Sequence, residues 1–465
     1  MEKIEPKTTY IPISCPNIDD MTSGTDYKAD KVRAMLHQLF LARLAQGAYI
    51  GKNKKHPMNH IYAEGYVALD STILRSLLSS YYKKYISFLI EKGIIQTRAS
   101  SSSPAAYTPG YACIHYKINP ELLFAKGTRR HFRKEEVTDY CTVKAVDKTA
   151  ENYRISNAVN ARSVALEPIH KKLFSMEKQI RFNLDDIDYW LENLKRENNT
   201  DIDFSDEVEK LHAIHDGYFY QKVDVFGNRL YSPLKSVKSE LRQFMYFEGM
   251  EGEQLSNFDI KNSQLYFLSL LFNPKIVNEF LPEFAPINTI AANYFDTEDV
   301  QAFIRYATNG NIYTKWQNYR GLKTRDLAKN ELIGILFSKV TARREGVNEF
   351  KELLPNVKAF LDGVKLLTET ELPFITKTYL HLNGDYKVGH FHANLSCATQ
   401  RLESRMFTKL FGQKLLDAKI QPFFTVHDSI YYPNSYSKKA VEVFNQMFVE
   451  LDIPKPQIKI QTPFF

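Results

Sequence analysis

The sequence predicts an α+β protein of several domains, because 465 residues are enough for two to four compact units. Helical periods followed by a strand-like segment fill residues 28–125, and residues 126–220 are charged and helix-rich. From Asp224 onward, short strands alternate with long helices. We therefore predict an N-terminal extension over 1–27, a helix–strand domain over 28–125, a helical linker over 126–220 and a larger α+β domain over 221–465.

Composition excludes several protein classes. The four cysteines lie far apart without a CxxC pair, which argues against a zinc site or a disulfide framework and fits a reducing cytoplasm. No run of about 18 apolar residues exists, so we expect no membrane span. The N-terminus "MEKIEPKTTYIPIS" has no apolar core, so we expect no signal peptide and a cytoplasmic location. The net charge of +7 mildly favours an acidic partner such as nucleic acid.

The N-terminal part shows two helical stretches, "KADKVRAMLHQLFLARLAQGAY" and "DSTILRSLLSSYYKKYISFLIEKGII", followed by the strand-like "YACIHYKI". This layout resembles winged helix-turn-helix domains. The resemblance implies duplex DNA binding through the helix that carries Arg75, Lys83 and Lys84, with Arg98 and Lys117 near the wing. The alternative is a domain that docks another protein, because a winged helix is a shape and not an activity.

The stretch "FFTVHDSIYYP" (423–433) combines the residue types of a buried strand with a charged side chain. Phe424, Val426 and Ile430 are typical of a strand interior. Yet His427 and Asp428 lie in the middle of the stretch. A carboxylate in such a place is costly unless it is paired or bound to a metal. The pattern therefore indicates a functional role for Asp428.

A second aspartate lies in "LSNFDIKNSQLYFLSLLF" (255–272), where an apolar strand ends at Asp259 and a buried helix begins. If the strands of Asp259 and Asp428 are neighbours, the two carboxylates form a pocket for divalent cations. Hard oxygen ligands with open water positions suit Mg²⁺ and a substrate phosphate. Two such ions stabilise both the attacking and the leaving oxygen in a phosphoryl displacement.

A third stretch, "TRDLAKNELIGILFSK" (324–339), has the apolar period of a helix. Arg325, Lys329, Ile333 and Phe337 recur along it every four residues, which predicts a row on one helical face. Two cations a turn apart can hold a triphosphate, and the aromatic ring further along can stack on a base. The plain alternative is a solvated helix face.

The order of these three stretches resembles the superfamily of DNA polymerase I (family A) and single-subunit phage RNA polymerases. A palm strand with Asp259, a fingers helix with Arg-x3-Lys-x7-aromatic, and a hairpin with His-Asp match motifs A, B and C. The resemblance implies a right-hand polymerase with an antiparallel palm sheet that bears the aspartates. It further implies helical fingers over about 275–375 and a thumb-like region within 126–220.

The resemblance also implies roles for the matched residues. Asp259, Asp428 and the backbone carbonyl of Ile260 would bind two Mg²⁺ ions, for which Mn²⁺ can substitute. His427 would position the growing end, where the plain alternative is a buried histidine with a hydrogen-bond partner. Lys329 would protonate or neutralise the leaving pyrophosphate. Its neighbour on the motif B helix, Arg325, would hold the triphosphate tail.

Two flanking segments extend the resemblance. "DVFGNRLYSPLKSVKSELR" (224–242) is similar to the segment that precedes motif A, so Arg229 would reach the primer end from the minor groove. "NLSCATQRLESRMFTKLF" (394–411) resembles the palm helix before motif C. Gln400 and Arg401 are its candidates for template or primer contacts.

The choice between dNTP and rNTP stays open at the level of sequence. Gln264 stands where family A DNA polymerases usually carry a glutamate that blocks the ribose 2′-OH. Ile333 replaces an aromatic residue common in DNA polymerases, and Ser429 follows His-Asp as in the RNA enzymes. Against these, Phe337 lacks the hydroxyl of the RNA polymerases, the intervals between motifs are short, and no room exists for promoter-reading domains. The balance favours DNA synthesis, with Gln264 bulky enough to crowd a 2′-OH.

These observations predict a minimal DNA polymerase without a proofreading exonuclease, of a kind found in phage or mobile elements and acting in a bacterial host cell. Its partners would be a DNA template and primer and nucleoside triphosphates, with no membrane. Three alternatives stay open: a single-subunit RNA polymerase or primase-like enzyme, a template-independent nucleotidyltransferase, and a DNA-binding replication initiator with a vestigial palm.

Overall fold

A computed structural model describes residues 6–50, 66–69, 71–98, 114–123, 132–139, 141–143, 146, 165–198, 205–215, 221–368, 370–372 and 393–461. Within these ranges the chain combines helices with small antiparallel sheets, which confirms the α+β prediction. In this part of the chain no helix is both long and apolar enough to cross a membrane.

The chain forms two compact units, which are described separately. Unit 1 comprises residues 1–157, 184–216 and 236–238, and unit 2 comprises 158–183, 217–235 and 239–465. This division differs from the predicted boundaries because the charged 126–220 region is shared between both units. Sequence composition does not reveal such a division, since it arises from contacts between segments distant in the chain.

The helices are numbered in chain order. They are α1 (Ile18–Thr22), α2 (Ala29–Ile50), α3 (Ser71–Leu78), α4 (Tyr82–Glu91), α5 (Pro168–Glu177), α6 (Leu184–Asn198), α7 (Ser205–His215), α8 (Ser263–Leu270), α9 (Pro274–Phe280), α10 (Ala285–Ala292), α11 (Glu298–Thr308), α12 (Ile312–Arg320), α13 (Arg325–Phe337), α14 (Val347–Leu353), α15 (Pro355–Leu366), α16 (Ala393–Glu403), α17 (Gly412–Asp417) and α18 (Ser437–Leu451). A π-helical segment, Ser404–Phe411, joins α16 to α17.

The strands are short and pair antiparallel. They are β1 (Lys7–Pro12), β2 (Val67–Ala68), β3 (Ile95–Arg98), β4 (His115–Ile118), β5 (Phe132–Val137), β6 (Ile180–Phe182), β7 (Lys222–Val223), β8 (Leu230–Tyr231), β9 (Met245–Phe247), β10 (Leu255–Ile260), β11 (Phe424–Val426), β12 (Ser429–Pro433) and β13 (Ile458–Gln461). The pairs β1–β5, β6–β9 and β7–β8 form two-stranded ribbons, while β2, β4 and β3 form one three-stranded sheet in that order.

In unit 1, α2 packs on the β1–β5 ribbon. The ring of Phe40 stacks on Tyr10 with centroids 4.5 Å apart and meets Phe132 edge-on at 4.7 Å. Arg33, on the same helix, is buried among carboxylates and donates to Glu135 at 2.7 Å. Apolar stacking and a paired cation therefore fix this ribbon against the helix.

Helix α4 is amphipathic, with Tyr85, Ile86, Phe88 and Leu89 buried. Its opposite face leaves Lys83 and Lys84 exposed, and Arg75 on α3 is exposed as well. These buried residues form one apolar face that points to the interior, because residues three and four apart lie on the same side of a helix. The three predicted nucleic-acid contacts of unit 1 therefore lie on solvent-facing surface.

In unit 2, the central sheet has four strands in the order β11–β12–β10–β13. Successive side chains of β10 point to opposite faces, as the strand period requires. Phe258 is fully buried and packs edge-on against Phe444 of α18, with ring centroids 4.6 Å apart. Its neighbour Asp259 lies on the opposite, more open face. The core thus anchors the strand that carries the predicted catalytic carboxylate.

Candidate active site

The central sheet brings the two predicted aspartates to the ends of adjacent strands. Asp259 on β10 lies opposite Ser429 on β12, and its Oδ1 accepts a hydrogen bond of 2.7 Å from the Ser429 hydroxyl. Asp428 directly precedes Ser429 in the chain. Strand register alone therefore places both carboxylates side by side, although they are far apart in sequence.

A tight turn presents Asp428. Val426 pairs with Ser429, so His427 and Asp428 form a two-residue hairpin turn between β11 and β12. His427 has a φ of 56°, and two-residue hairpins require such left-handed backbone. Asp428 accepts a hydrogen bond from the Ser263 hydroxyl at the start of α8. The His427 ring meets Tyr231 edge-on with centroids 6.2 Å apart.

The two carboxylates influence each other electrostatically. Burial and the neighbouring charge of Asp428 raise the pKa of Asp259 to about 6, while the Ser429 hydroxyl and the cations Lys459 and Lys329 act to lower it. Like charges this close disfavour double ionisation unless a cation shares their charge. The pair is therefore a place where a divalent cation would relieve repulsion.

Both aspartates line a cavity of about 590 Å³. Its cations outnumber its carboxylates, which suits a polyanionic ligand. The lining residues are Arg229, Asp259, Ile260, Lys261, Asn262, Ser263, Gln264, Tyr313, Arg325, Lys329, Glu403, His427, Asp428 and Lys459. Of the residues predicted for this site, Asp259, Asp428, Ile260, His427, Lys329, Arg325, Gln264 and Arg229 thus lie around one space.

Helix α13 supplies two of these cations. It begins after Thr324, whose hydroxyl caps the helix by accepting from the backbone N–H of Leu327 at 3.2 Å. Lys329 and Arg325 are exposed to the cavity, and the guanidinium of Arg325 donates to Asn262 Oδ1 at 2.9 Å. The same guanidinium lies 5.1 Å from the ring centroid of Tyr313, within cation–π range.

No protein-family model and no curated protein matches the chain. Among solved structures, the fold is similar to "POL domain of Pol1 from M. smegmatis complex with DNA primer-template and dNTP". The similarity has a TM-score of 0.35 and 10% sequence identity, over 69% of this chain and 73% of that chain. At this level the similarity is coarse, so the case for function depends on the cavity itself.

The predicted row on α13 does not hold over its full length. Ile333 and Phe337 are half-buried and pack against the apolar core instead of lining the cavity. A step of four residues overshoots one helical turn by about 40°, so Phe337 lies about 120° around the helix from Arg325. The proposed base-stacking role of Phe337 and the nucleotide contact of Ile333 therefore do not agree with this placement.

Arg229 is held by a turn and by a buried glutamate. Asp224 accepts hydrogen bonds from the backbone N–H groups of Phe226, Gly227 and Arg229, the last at 2.7 Å. The Arg229 guanidinium donates from Nε and Nη2 to the two oxygens of Glu403, both at 2.9 Å. This parallel pair of bonds fixes the direction of the guanidinium.

Gln400 and Arg401 both lie on α16 and contact the turn that holds Arg229. Arg401 is buried and donates to the carbonyls of Phe226 at 2.9 Å and Val225 at 2.7 Å, and to Glu283 at 3.0 Å. The Gln400 side chain packs directly against Gly227. Arg401 therefore departs from the predicted nucleic-acid contact, because its guanidinium is engaged within the protein, and Gln400 has at least a packing role.

Gly227→Ala should destabilise the protein by about 1–3 kcal/mol, because the added Cβ overpacks a tight contact. That Cβ would lie 2.5 Å from Gln400 Oε1 and 2.8 Å from Gln400 Cβ. Denaturant unfolding measures the change. The matched control is Gly252→Ala, whose Cβ would meet nothing within 4 Å. Equal stability of the two variants would contradict the close packing of the turn on α16.

Sequence patterns missed several cavity residues. Lys459 lies on β13 opposite Asp259, and Tyr313 on α12 underlies Arg325. The sequence does not predict a role for Glu403, because a glutamate near the end of a helix belongs to no recognisable motif. Among them, Asn262 lies in a recognisable local pattern, three positions after Asp259. A polar residue between a strand and a buried helix often caps the helix or forms a turn.

The donor set fits a divalent cation with open coordination positions. In the described part of the chain, no three His, Cys, Asp or Glu side chains form a complete metal-binding group. Asp259, Asp428 and the Ile260 backbone line the cavity, and the two carboxylates repel each other. A cation bound by these three groups would keep coordination positions open for water and phosphate oxygens. Mg²⁺ binds in this way, through one or two carboxylates and the substrate's phosphates.

Proposed function

We propose that this protein is a template-directed nucleotidyltransferase, a minimal DNA polymerase without a proofreading exonuclease that serves phage or mobile-element replication. The observation that supports this most is the pairing of Asp259 and Asp428 on adjacent strands, facing the cations Arg325 and Lys329 across one cavity. Paired carboxylates opposite a cationic helix suit phosphoryl transfer to a nucleoside triphosphate.

Each residue then has a defined task. In the reaction the primer 3′-hydroxyl releases its proton to water, and its oxygen forms a bond to the α-phosphorus of the nucleoside triphosphate. The bond from that phosphorus to the pyrophosphate oxygen breaks. Arg325 holds the triphosphate tail, and its contact with Asn262 keeps it over the cavity. Lys329 neutralises or protonates the leaving pyrophosphate. His427 lies at the turn beside Asp428 and positions the growing end.

Asp259, Asp428 and the Ile260 carbonyl would hold Mg²⁺, two ions being expected. When bound, such ions lower the charge on the reacting phosphate and favour the alkoxide form of the attacking hydroxyl. The hydroxyls of Ser429 and Ser263 fix the two carboxylates in advance, so that little reorganisation is needed when substrate arrives.

Extension of a labelled primer on a defined DNA template, with Mg²⁺ and dNTPs, tests this function. We expect products whose length and sequence follow the template. A parallel reaction with rNTPs tests RNA synthesis, and a reaction with an unpaired strand tests template-independent addition. Absence of any nucleotide incorporation in all three reactions would exclude the proposed function.

Gln264 is the proposed steric barrier to a ribose 2′-OH, since it lines the cavity near the start of α8. Gln264→Ala should raise the rNTP:dNTP incorporation ratio by at least about tenfold, because removing side-chain bulk admits the hydroxyl. Gln264→Glu keeps the size and serves as the control. Single-nucleotide incorporation kinetics give the ratio, and an unchanged ratio in the alanine variant would remove Gln264 from sugar selection.

For unit 1 we propose a winged-helix domain that binds duplex DNA. The order of α3, α4, β3 and β4, and the sheet order β2–β4–β3, support this assignment. The Lys84 ammonium lies 5.4 Å from the ring centroid of Tyr81, a side chain that is 62% exposed. Exposed cations beside an exposed ring suit contact with phosphates and sugars.

Lys83→Ala together with Lys84→Ala should weaken binding to covalently closed duplex DNA, which offers no primer end. Loss of two phosphate contacts should reduce the slope of log affinity against log salt by about 2. Fluorescence anisotropy over a salt series measures it. Lys28→Ala, an exposed lysine at the start of α2, is the control. An unchanged slope in the double variant would favour docking of a protein partner.

A further inference from the structure

The central sheet carries a lysine directly beside one of the two cavity carboxylates. Lys459 on β13 lies opposite Asp259 on β10, while Ser429 on β12 lies opposite Asp259 on the other side. Residues that lie opposite each other in an antiparallel pair point to the same face of the sheet, with Cβ atoms about 4.5–5.5 Å apart. Lys459 therefore shares a face with Asp259, and it lines the same cavity.

Lys459 acts on Asp259 through its charge. The Ser429 hydroxyl donates to Asp259 Oδ1 at 2.7 Å from the β12 side, and Lys459 approaches from the β13 side. Burial and the charge of Asp428 raise the pKa of Asp259, and of the two cations that oppose this rise Lys459 acts more strongly than Lys329. The lysine thus compensates part of the negative charge that a divalent cation would otherwise meet.

The position of Lys459 leaves its side chain adaptable. β13 is an edge strand of the central sheet, and Lys459 is exposed on it. A lysine carries a compact charge on a flexible four-carbon stem. By contrast, two parallel hydrogen bonds hold the guanidinium of Arg229 on Glu403. The ammonium of Lys459 can therefore turn from the carboxylate toward a ligand in the cavity without breaking a buried contact.

We propose that Lys459 selects a divalent cation that arrives with a nucleoside triphosphate over a free divalent cation. A free cation at Asp259 and Asp428 is repelled by the nearby ammonium. A triphosphate with one bound divalent cation still carries net negative charge, so the same ammonium attracts it and shares its charge with the phosphate oxygens. This inference depends on the proposed nucleotidyl-transfer function and adds to it the selection between free and nucleotide-bound metal.

Titration with Mn²⁺, followed by electron paramagnetic resonance, tests this inference without turnover. At pH 8 Asp259 is ionised, because its pKa of about 6 lies well below that value. Lys459→Met, which keeps the length of the side chain, should bind free Mn²⁺ at least about fivefold more tightly than the wild-type protein, because a repelling charge is removed. In calorimetry at saturating Mn²⁺, the same variant should bind a non-hydrolysable nucleoside triphosphate at least about threefold more weakly.

Three further variants identify the cause of any change. Lys459→Arg keeps the charge and should match the wild-type protein in both measurements. Lys438→Met removes an exposed lysine of α18 that does not line the cavity, and it should also match the wild-type protein. Asp259→Asn should lose the Mn²⁺ binding, which assigns the measured site to the cavity.

The possible results separate this inference from the proposed function. An unchanged Mn²⁺ affinity in Lys459→Met, or an affinity for the triphosphate that does not fall, would overturn the inference but not the proposed function. Full Mn²⁺ binding by Asp259→Asn, or no Mn²⁺ binding by the wild-type protein, would instead remove the metal site and with it the proposed function.

Discussion

Asp428→Asn should lower the rate of primer extension by at least about a thousandfold, equivalent to roughly 4 kcal/mol of transition-state stabilisation. The substitution keeps the size of the side chain and still offers an oxygen to the Ser263 hydroxyl. It removes one of the two charges that would bind the divalent ions. Asp259→Asn should have an effect of similar size, since both carboxylates face the same cavity.

Single-turnover extension with saturating Mg²⁺ and dNTP measures both variants. Asp452→Asn is a matched control, because Asp452 is exposed and asparagine also adopts its left-handed backbone at a φ of 55°. The control should extend primers at the wild-type rate. If either cavity variant retained more than about a tenth of the wild-type rate, the two carboxylates would not be the metal ligands of the reaction.

Lys329→Ala should have the next largest effect, a fall in kcat of about 100- to 1,000-fold. Lys329 faces the cavity from α13, and its charge acts on Asp259 across that space. A cation that neutralises the leaving pyrophosphate matters most in the transition state, so kcat should fall more than the KM for dNTP rises. Arg325→Ala should show the reverse balance, because in the proposed function Arg325 would bind the triphosphate in the ground state as well.

Steady-state kinetics measure kcat and the KM for dNTP in Lys329→Ala and in Arg325→Ala. Lys323→Ala is the control, since Lys323 is an exposed cation just before the same helix and does not line the cavity. If Lys329→Ala changed only KM, Lys329 would serve in binding and not in departure of the pyrophosphate. Wild-type kinetics for both Lys329→Ala and Arg325→Ala would contradict a triphosphate site on α13.

Local patterns predicted the parts of the site that depend on local geometry. Asp428 interrupts a strand-forming stretch, and Asp259 lies at a strand-to-helix junction. Both positions indicate a functional carboxylate, because burying its charge is costly unless it is paired or bound to a metal. Their meeting depends on the register of β10 with β12, which a single sequence does not contain. The contribution of Lys459 from β13 depends on the same long-range pairing.

Two interpretations stay predictions, and the structure places their residues differently from what the sequence patterns suggest. A four-residue spacing suggested one face for Arg325 through Phe337, but the helical repeat carries Phe337 away toward the core. Arg401 was a plausible nucleic-acid contact because arginine often binds phosphate, yet backbone carbonyls of the 224–229 turn take its donors. Sequence does not distinguish an arginine that binds a ligand from one that binds its own backbone.

A crystal structure with Mn²⁺ and a non-hydrolysable nucleoside triphosphate would show whether Asp259 and Asp428 bind metal together beside the triphosphate. Anomalous scattering should place manganese within about 2.2 Å of a carboxylate oxygen of both Asp259 and Asp428, with the triphosphate toward Lys329 and Arg325. Manganese bound only elsewhere, or a triphosphate remote from α13, would rule out these carboxylates and this helix as the nucleotidyl-transfer site.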